Sequence, residues 1–239
     1  MNKFLLTKKI EEFAPSETAE PWDCVGFMVE TGKTEVSKVM FCLTPTDDVI
    51  TQALNKHCDM IVSHHPMFYV NFTSGLLDDR NSPQIDIYSA HTNMDRAEGG
   101  TTDTIINALW LKAFQKQINH EFLRKVELET PVTVEDFAKK LLKISPNLRY
   151  VNNKKIKEIS KIFFCAGSGA EFIQDAKNLG ADCLVTADLK FHTALDSDIV
   201  VFDLGHFESE ILIREVFKKI IGDEVEVIFA EEVCPFIYP

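Results

Sequence analysis

Apolar residues in the first half of the chain fall into short runs closed by turn signals. Val39-Met40-Phe41-Cys42-Leu43 is a continuous apolar run that meets Thr44-Pro45. Such a run, too short for a helix and bounded by a turn, reads as a strand buried on both faces. Val49, Ile50, Ala53 and Leu54 then recur at helical spacing, and a second strand is expected at 60–62. Strand, helix, strand in that order predicts a parallel pairing with the helix packed on the sheet. The same succession returns later. A strand at 162–166 meets Gly167-Ser168-Gly169, Phe172, Ile173, Ala176 and Leu179 take helical spacing, and a strand follows at 183–185. Further strands are expected at 85–90 and 199–204. Helices are expected at 102–109, over 137–142 from a start at 133–136, and across Ile211, Leu212, Val216, Phe217 and Ile220.

These two successions align without a gap at a constant offset of 123 positions, Cys42 matching Cys165. Identical pairs include Ser37/Ser160, Lys38/Lys161, Phe41/Phe164, Ile50/Ile173, Ala53/Ala176, Asn55/Asn178, Asp59/Asp182 and Val62/Val185. Chance rarely matches so many positions in so short a window, so the chain carries an internal duplication. The expected fold class is α/β, with two similar lobes and mixed, largely parallel sheets. The lobes are placed at 1–115 and 116–239, with 111–131 as the approximate crossover.

Composition narrows the setting. The chain has 239 residues, 45% hydrophobic and 26% charged, an ordinary globular composition. Its apolar runs are far shorter than a membrane span requires. Lys8 and Lys9 fall where a signal peptide needs apolar residues, so a cytoplasmic protein is expected. Cys24, Cys42, Cys58, Cys165, Cys183 and Cys234 form no CxxC pair, which fits free thiols in a reducing compartment. A net charge of −12 argues against a nucleic-acid partner, since neutralising phosphates requires clustered Lys and Arg. The one basic cluster, Lys154-Lys155-Ile156-Lys157, reads as a solvated turn.

Three junctions carry the candidate chemistry, each directly after an expected strand, where open α/β sheets bind ligands. The first is Ser63-His64-His65-Pro66, whose repeat partner reads Thr186-Ala187-Asp188. The lobes thus share a scaffold and differ in polar cargo. The second is His91-Thr92-Asn93-Met94-Asp95, followed by Gly99-Gly100. The third is Asp203-Leu204-Gly205-His206-Phe207-Glu208-Ser209-Glu210, in which His206 and Glu210 share a face at a helix start. Taken singly, each has a plain alternative: surface histidines, turn chemistry at Asn93 and Asp95, or a glutamate favoured by the helix dipole. Together they supply His64, His65, Asp95, His206 and Glu210. Three imidazoles and two carboxylates suit a dinuclear site completed by water. The donors suit zinc first, with iron or manganese as alternatives.

The sequence also resembles the Nif-three-like family, whose members are commonly named GTP cyclohydrolase 1 type 2 homologues. The resemblance spans nearly the whole chain. It rests on Trp22-Asp23-Cys24-Val25-Gly26, Ile61-Val62-Ser63-His64-His65-Pro66, Ser89-Ala90-His91-Thr92-Asn93-Met94-Asp95, Gly167-Ser168-Gly169, Thr186-Ala187-Asp188-Leu189-Lys190-Phe191-His192, Asp203-Leu204-Gly205-His206 and Pro235-Phe236. It implies intertwined α/β/α lobes, two divalent ions per subunit on the five ligands above, and a toroidal homohexamer. Cys42-Leu43-Thr44-Pro45 replaces the family's usual Asp-Val-Thr-Pro, and Phe68-Tyr69-Val70-Asn71-Phe72 lacks its usual lysine. The span 112–151 leaves no room for the extra domain of longer relatives.

Two functions follow as expectations. One is a metal-dependent hydrolase of a nucleotide, with GTP ring opening and formate release implied by the resemblance. His91 or His192 would then relay protons, because an unperturbed imidazole titrates near ~6.5. The plain alternative for both is orienting a metal ligand. The other function is a non-catalytic metal-binding, metal-handling or oligomeric adaptor protein.

Overall fold

The computed structural model describes residues 1–67, 84–109, 115–118 and 121–237. The stretch Phe68-Tyr69-Val70-Asn71-Phe72 lies outside the described residues. The chain opens with α1 (Lys3–Phe13), β1 (Gly26–Val29), β2 (Lys38–Cys42), α2 (Asp47–Asn55), β3 (Met60–Ser63) and β4 (Asp86–Ser89). Next come α3 (Thr92–Arg96), α4 (Thr101–Ala108), β5 (Gln115–Ile118), β6 (Arg124–Thr133), α5 (Val134–Leu141), β7 (Arg149–Val151) and β8 (Glu158–Phe164). The remainder is α6 (Ile173–Asn178), β9 (Cys183–Thr186), α7 (Phe191–Asp196), β10 (Val200–Asp203), α8 (His206–Glu210), α9 (Ile213–Ile221) and β11 (Glu226–Phe229).

Two compact units result. Met1–Gly100 joins Ile213–Val233 in the first, and Thr101–Leu212 with the chain end from Cys234 makes the second. The first unit has one sheet in the order β1-β4-β3-β2-β11. Its pairings are parallel except the antiparallel edge β1–β4. Successive β2 side chains face opposite sides of the sheet. Met40 and Cys42 pack with Val49, Ile50 and Ala53 of α2. Phe41, on the other face, stacks on Phe217 of α9 at 5.7 Å. Burial on both faces explains why these strands read as unbroken apolar runs. Each such phenylalanine contributes about 1.5–3 kcal/mol through burial. Thr46 caps α2 by accepting from the Val49 amide, and Asp47 and Asp48 complement its first turn.

The second unit has the order β5-β6-β8-β9-β10-β7, with parallel pairs β8–β9 and β9–β10 flanked by antiparallel partners. Ile162, Phe164, Val185 and Phe202 pack with Ile105 of α4 and Phe137 and Leu141 of α5. Phe163, Leu184 and Val201 pack with Ile173 and Ala176 of α6.

The duplication is visible in the hydrogen bonds. Val39 pairs with Met60 and Ile162 with Cys183, the same register at the repeat offset. Asp59 accepts from the amides of Ser37 and Lys38 at 2.9 and 3.2 Å. Asp182 accepts from Ser160 and Lys161, both at 2.8 Å. The Asp is kept in both copies because its carboxylate, just ahead of one strand, ties the start of that strand to its parallel neighbour.

Two expectations are corrected. Residues 111–131 are not simply a crossover, because β5 and most of β6 lie there. Arg124, Val126 and Leu128 are buried in alternation with Lys125, Glu127 and Glu129, and the charged face hid the strand. The helix expected across Ile211 to Ile220 is α9, which begins only at Ile213 and is separate from α8, where His206 and Glu210 lie. α8 packs on α4 in the second unit, whereas α9 buries Ile213, Phe217 and Ile221 in the first, and the chain turns at 211–212. The basic cluster is the solvated turn expected of it, with Lys154, Lys155 and Lys157 exposed.

Candidate metal centre

In the first unit, donors gather where β3 and β4 end. His64 and His65 continue the ladder past β3, their amides donating to the carbonyls of Cys42 and Leu43 at 3.2 and 2.8 Å. The ladder fixes the backbone, and each ring is then fixed by a second contact. His64 Nδ1 donates to the Ala90 carbonyl at 3.0 Å, and His65 Nδ1 meets Thr44 Oγ1 at 2.7 Å. Both rings are buried. His91, just beyond β4, donates from Nδ1 to Asp23 Oδ1 at 2.9 Å. Its ring centroid lies 5.1 Å from that of His64 and 5.4 Å from that of His65. Each of the three histidines offers a ring nitrogen within 4.8 Å of the others, close enough to share a cation. Asp95, on α3, places Oδ1 3.4 Å from His64 Nε2.

α3 is held by its own polar residues. Asn93 accepts from the His91 amide at 2.9 Å and donates to the Ala14 carbonyl at 2.8 Å. Asp23 anchors the other side. Burial opposes its ionisation, but hydrogen bonds from His91 and Thr92, with the nearby imidazole charge, hold its carboxyl well below the usual range. A carboxylate behind an imidazole fixes the tautomer and raises ring basicity, the common support of a metal-binding histidine.

The second unit repeats the layout with different cargo. Ser63 pairs with Ser89, and Thr186 with Asp203, so the strand ends β4 and β10 are equivalent. A five-residue helix starts three positions after each, α3 at Thr92 and α8 at His206. His206 Nδ1 donates to Asp188 Oδ2 at 2.7 Å, and its Nε2 stands 2.9 Å from Glu210 Oε2. Asp188 adopts a left-handed backbone with φ 54° and also accepts a hydrogen bond from Ser168. Ser209 Oγ accepts from the Gly167 amide at 3.0 Å, tying α8 to the turn after β8. That turn crowds the carboxylate: a Cβ on Gly167 would fall 2.1 Å from Glu210 Oε1.

Burial works against charge on His206, but hydrogen bonds and charge from Glu210 and Asp188 outweigh it and raise its pKa to about 10. Two carboxylates around one imidazole make a place for a cation, which in metal-free protein is the ring proton. The group's folded pKa lies above its ordinary 6.5, so its stabilisation is complete below that value and is lost as pH rises through about 10. The thermal midpoint of metal-free protein is therefore expected to fall between pH 7 and 10. His206→Gln should flatten that slope, as read by thermal melts across the range.

Of the residues singled out from sequence, His64, His65, Asp95 and His91 lie together in the first unit, and His206 and Glu210 in the second. His192 is exposed on α7 and lines a groove of about 680 Å³ with Lys190, Ser168 and Asp188. Asp23, Thr44, Asp188 and Gly167 were given no role from sequence. Asp23 and Asp188 were legible as carboxylates beside conspicuous motifs; Thr44 and Gly167 were legible only as turn residues.

A family model described as Duf34/NIF3 (NGG1p interacting factor 3) matches residues 1–235. A Clostridium acetobutylicum protein named GTP cyclohydrolase 1 type 2 homolog is 34% identical over 222 residues, covering 84% of this chain and 82% of its own. A Clostridium perfringens protein of the same name is 33% identical over 250 residues, covering 93% and 94%. Among solved structures, a Staphylococcus aureus hypothetical protein matches with a TM-score of 0.84 at 23% identity, covering 100% of this chain and 99% of that one. Reduced HcgD from Methanocaldococcus jannaschii matches with a TM-score of 0.80 at 22% identity, covering 97% and 98%. At those identities the structural likeness speaks for the fold alone.

Proposed function

Because the chain belongs to the Duf34/NIF3 family, we propose that it binds two divalent metal ions and, so loaded, hydrolyses a nucleotide. The ligands in this reading are His64, His65 and Asp95 in the first unit and His206 and Glu210 in the second. The observation that carries it is shared by four histidines. His64, His65, His91 and His206 each have Nδ1 engaged by a protein oxygen. That engagement leaves Nε2 as the atom suited to a metal. Borderline nitrogen donors with carboxylate oxygens suit zinc, iron or manganese, and zinc is the first choice.

Bound divalent ions would supply Lewis acidity and lower the pKa of water towards ~7. The protein's own groups would do the rest. His91, steadied by Asp23, and His192, open to solvent beside Lys190, are the proposed proton carriers. The relatives' printed name points to GTP as the nucleotide. In that reaction water adds at the purine C8, the C8–N9 bond breaks, and a second water releases C8 as formate. The same reading includes assembly into a homohexamer, tested by the mass of the protein in solution. No helix among the described residues is long and apolar enough to cross a membrane.

The test is formate release from GTP by zinc- or manganese-loaded protein. Release by wild type that disappears in a folded Glu210→Ala variant is expected. Metal uptake without turnover of any nucleotide would favour the metal-handling or adaptor role.

A further inference from the structure

Trp22 is 71% exposed, an unusual position for an indole. It stands edge-on to His91, ring centroids 6.4 Å apart at an interplanar angle of 77°. His91 in turn packs against His64 and His65, so the indole borders the three-histidine group. Its position is fixed through its neighbour. The Asp23 side chain is 1% exposed. It accepts from His91 Nδ1 at 2.9 Å, from the Thr92 amide at 3.0 Å and from Thr92 Oγ1 at 2.5 Å. The Asp23 amide donates to the Glu20 carbonyl at 2.9 Å. The backbone beside the indole is therefore pinned while the ring itself stays open to solvent.

We propose that Trp22 is a stacking platform for a planar heteroaromatic ring, purine-sized, on the ligand that reaches the His64–His65–His91 group. The proposal rests on the metal-centre reading for its location and adds the residue that would hold the ligand's base. An open, pinned indole offers a π-face with little ordering left to do on binding, and every nucleobase has a matching face. A protein partner would call for a contiguous apolar patch. Trp22 is set instead beside Glu20 and His91, both polar and partly exposed. An aliphatic acid would gain nothing specific from the ring, and a sugar stacking on it would show in the ribose 5-phosphate arm of the test below. The platform reads the base and leaves any phosphate to other groups.

The experiment uses the full-length, zinc-loaded protein with GMP as the probe and ribose 5-phosphate as the ring-free control. Affinities are measured by calorimetry, with zinc content determined on the same samples. Trp22→Ala is expected to weaken GMP by about tenfold or more, the size of one base stack. Trp22→Phe should recover most of that loss, and ribose 5-phosphate should bind all three proteins alike. Equal GMP affinity in Trp22→Ala, or no GMP binding by the wild type, overturns the proposal. So does a Trp22→Ala protein that loses zinc or changes its assembly mass, since the indole would then be structural. Failure of the metal reading registers separately, as wild-type protein that takes up no zinc. GMP binding to that metal-free chain still decides the role of Trp22.

Discussion

Replacing His64 by alanine is expected to lower zinc affinity by more than a hundredfold. Loss of an outer partner of a metal ligand typically costs about 10–100-fold, and loss of the ligand itself exceeds that. The side chain is fully buried, with Nδ1 fixed on the Ala90 carbonyl and Nε2 facing Asp95. Alanine removes the donor and also leaves the Ala90 carbonyl without its imidazole partner. That second effect costs about 1–3 kcal/mol, a fall of several degrees in the thermal midpoint of metal-free protein. The two consequences separate cleanly. Equilibrium competition with a zinc chelator reads the first, and melting of metal-free protein reads the second. Asp23→Asn supplies the contrast: it loosens His91 and Thr92 but none of the five proposed ligands, so zinc affinity is expected to change far less than in His64→Ala.

Gly167→Ala tests the second unit without replacing a ligand. Gly167 has φ 60°, a conformation in which alanine is strained by roughly 1–2 kcal/mol. The larger effect is steric. The new methyl would sit 2.1 Å from Glu210 Oε1 and 3.5 Å from His206 Cε1. Glu210 is buried and in contact with His206, so its carboxylate must leave the position from which it would share a metal. Zinc affinity is expected to fall about 10–100-fold while the fold survives with a midpoint lowered by a few degrees. Wild-type affinity in Gly167→Ala would show that Glu210 is not needed where it stands.

Physical periodicity accounts for what the sequence disclosed. Strands buried on both faces announce themselves as apolar runs, so β2, β3, β8 and β9 were legible, and the duplication fixed their pairing in advance. The cap at Thr133, which accepts from the Asp136 amide, was legible because helix starts carry their own chemistry. β6 was not, because its alternate residues are charged. β7 was not, because Arg149, Tyr150 and Val151 form a three-residue edge with little burial. Among the site residues, strand-end placement brought out His64, His65, Asp95, His206 and Glu210. The pairing of the carboxylates with the rings stayed hidden for a different reason. Asp23 lies 68 positions from His91, and Asp188 lies 18 from His206. No local spacing rule reaches across such intervals; only the folded sheet brings the pairs together.

His64, His65, Asp95, His206 and Glu210 are the proposed metal ligands. Crystals of zinc-loaded protein measured across the zinc absorption edge test that assignment most directly. Two anomalous peaks per chain are expected, with the Nε2 atoms of His64, His65 and His206 each about 2.0–2.1 Å from one of them and the carboxylates of Asp95 and Glu210 in their coordination. Fully loaded crystals whose zinc signal lies elsewhere on the surface, or that show none at these side chains, would rule these five residues out as the metal site.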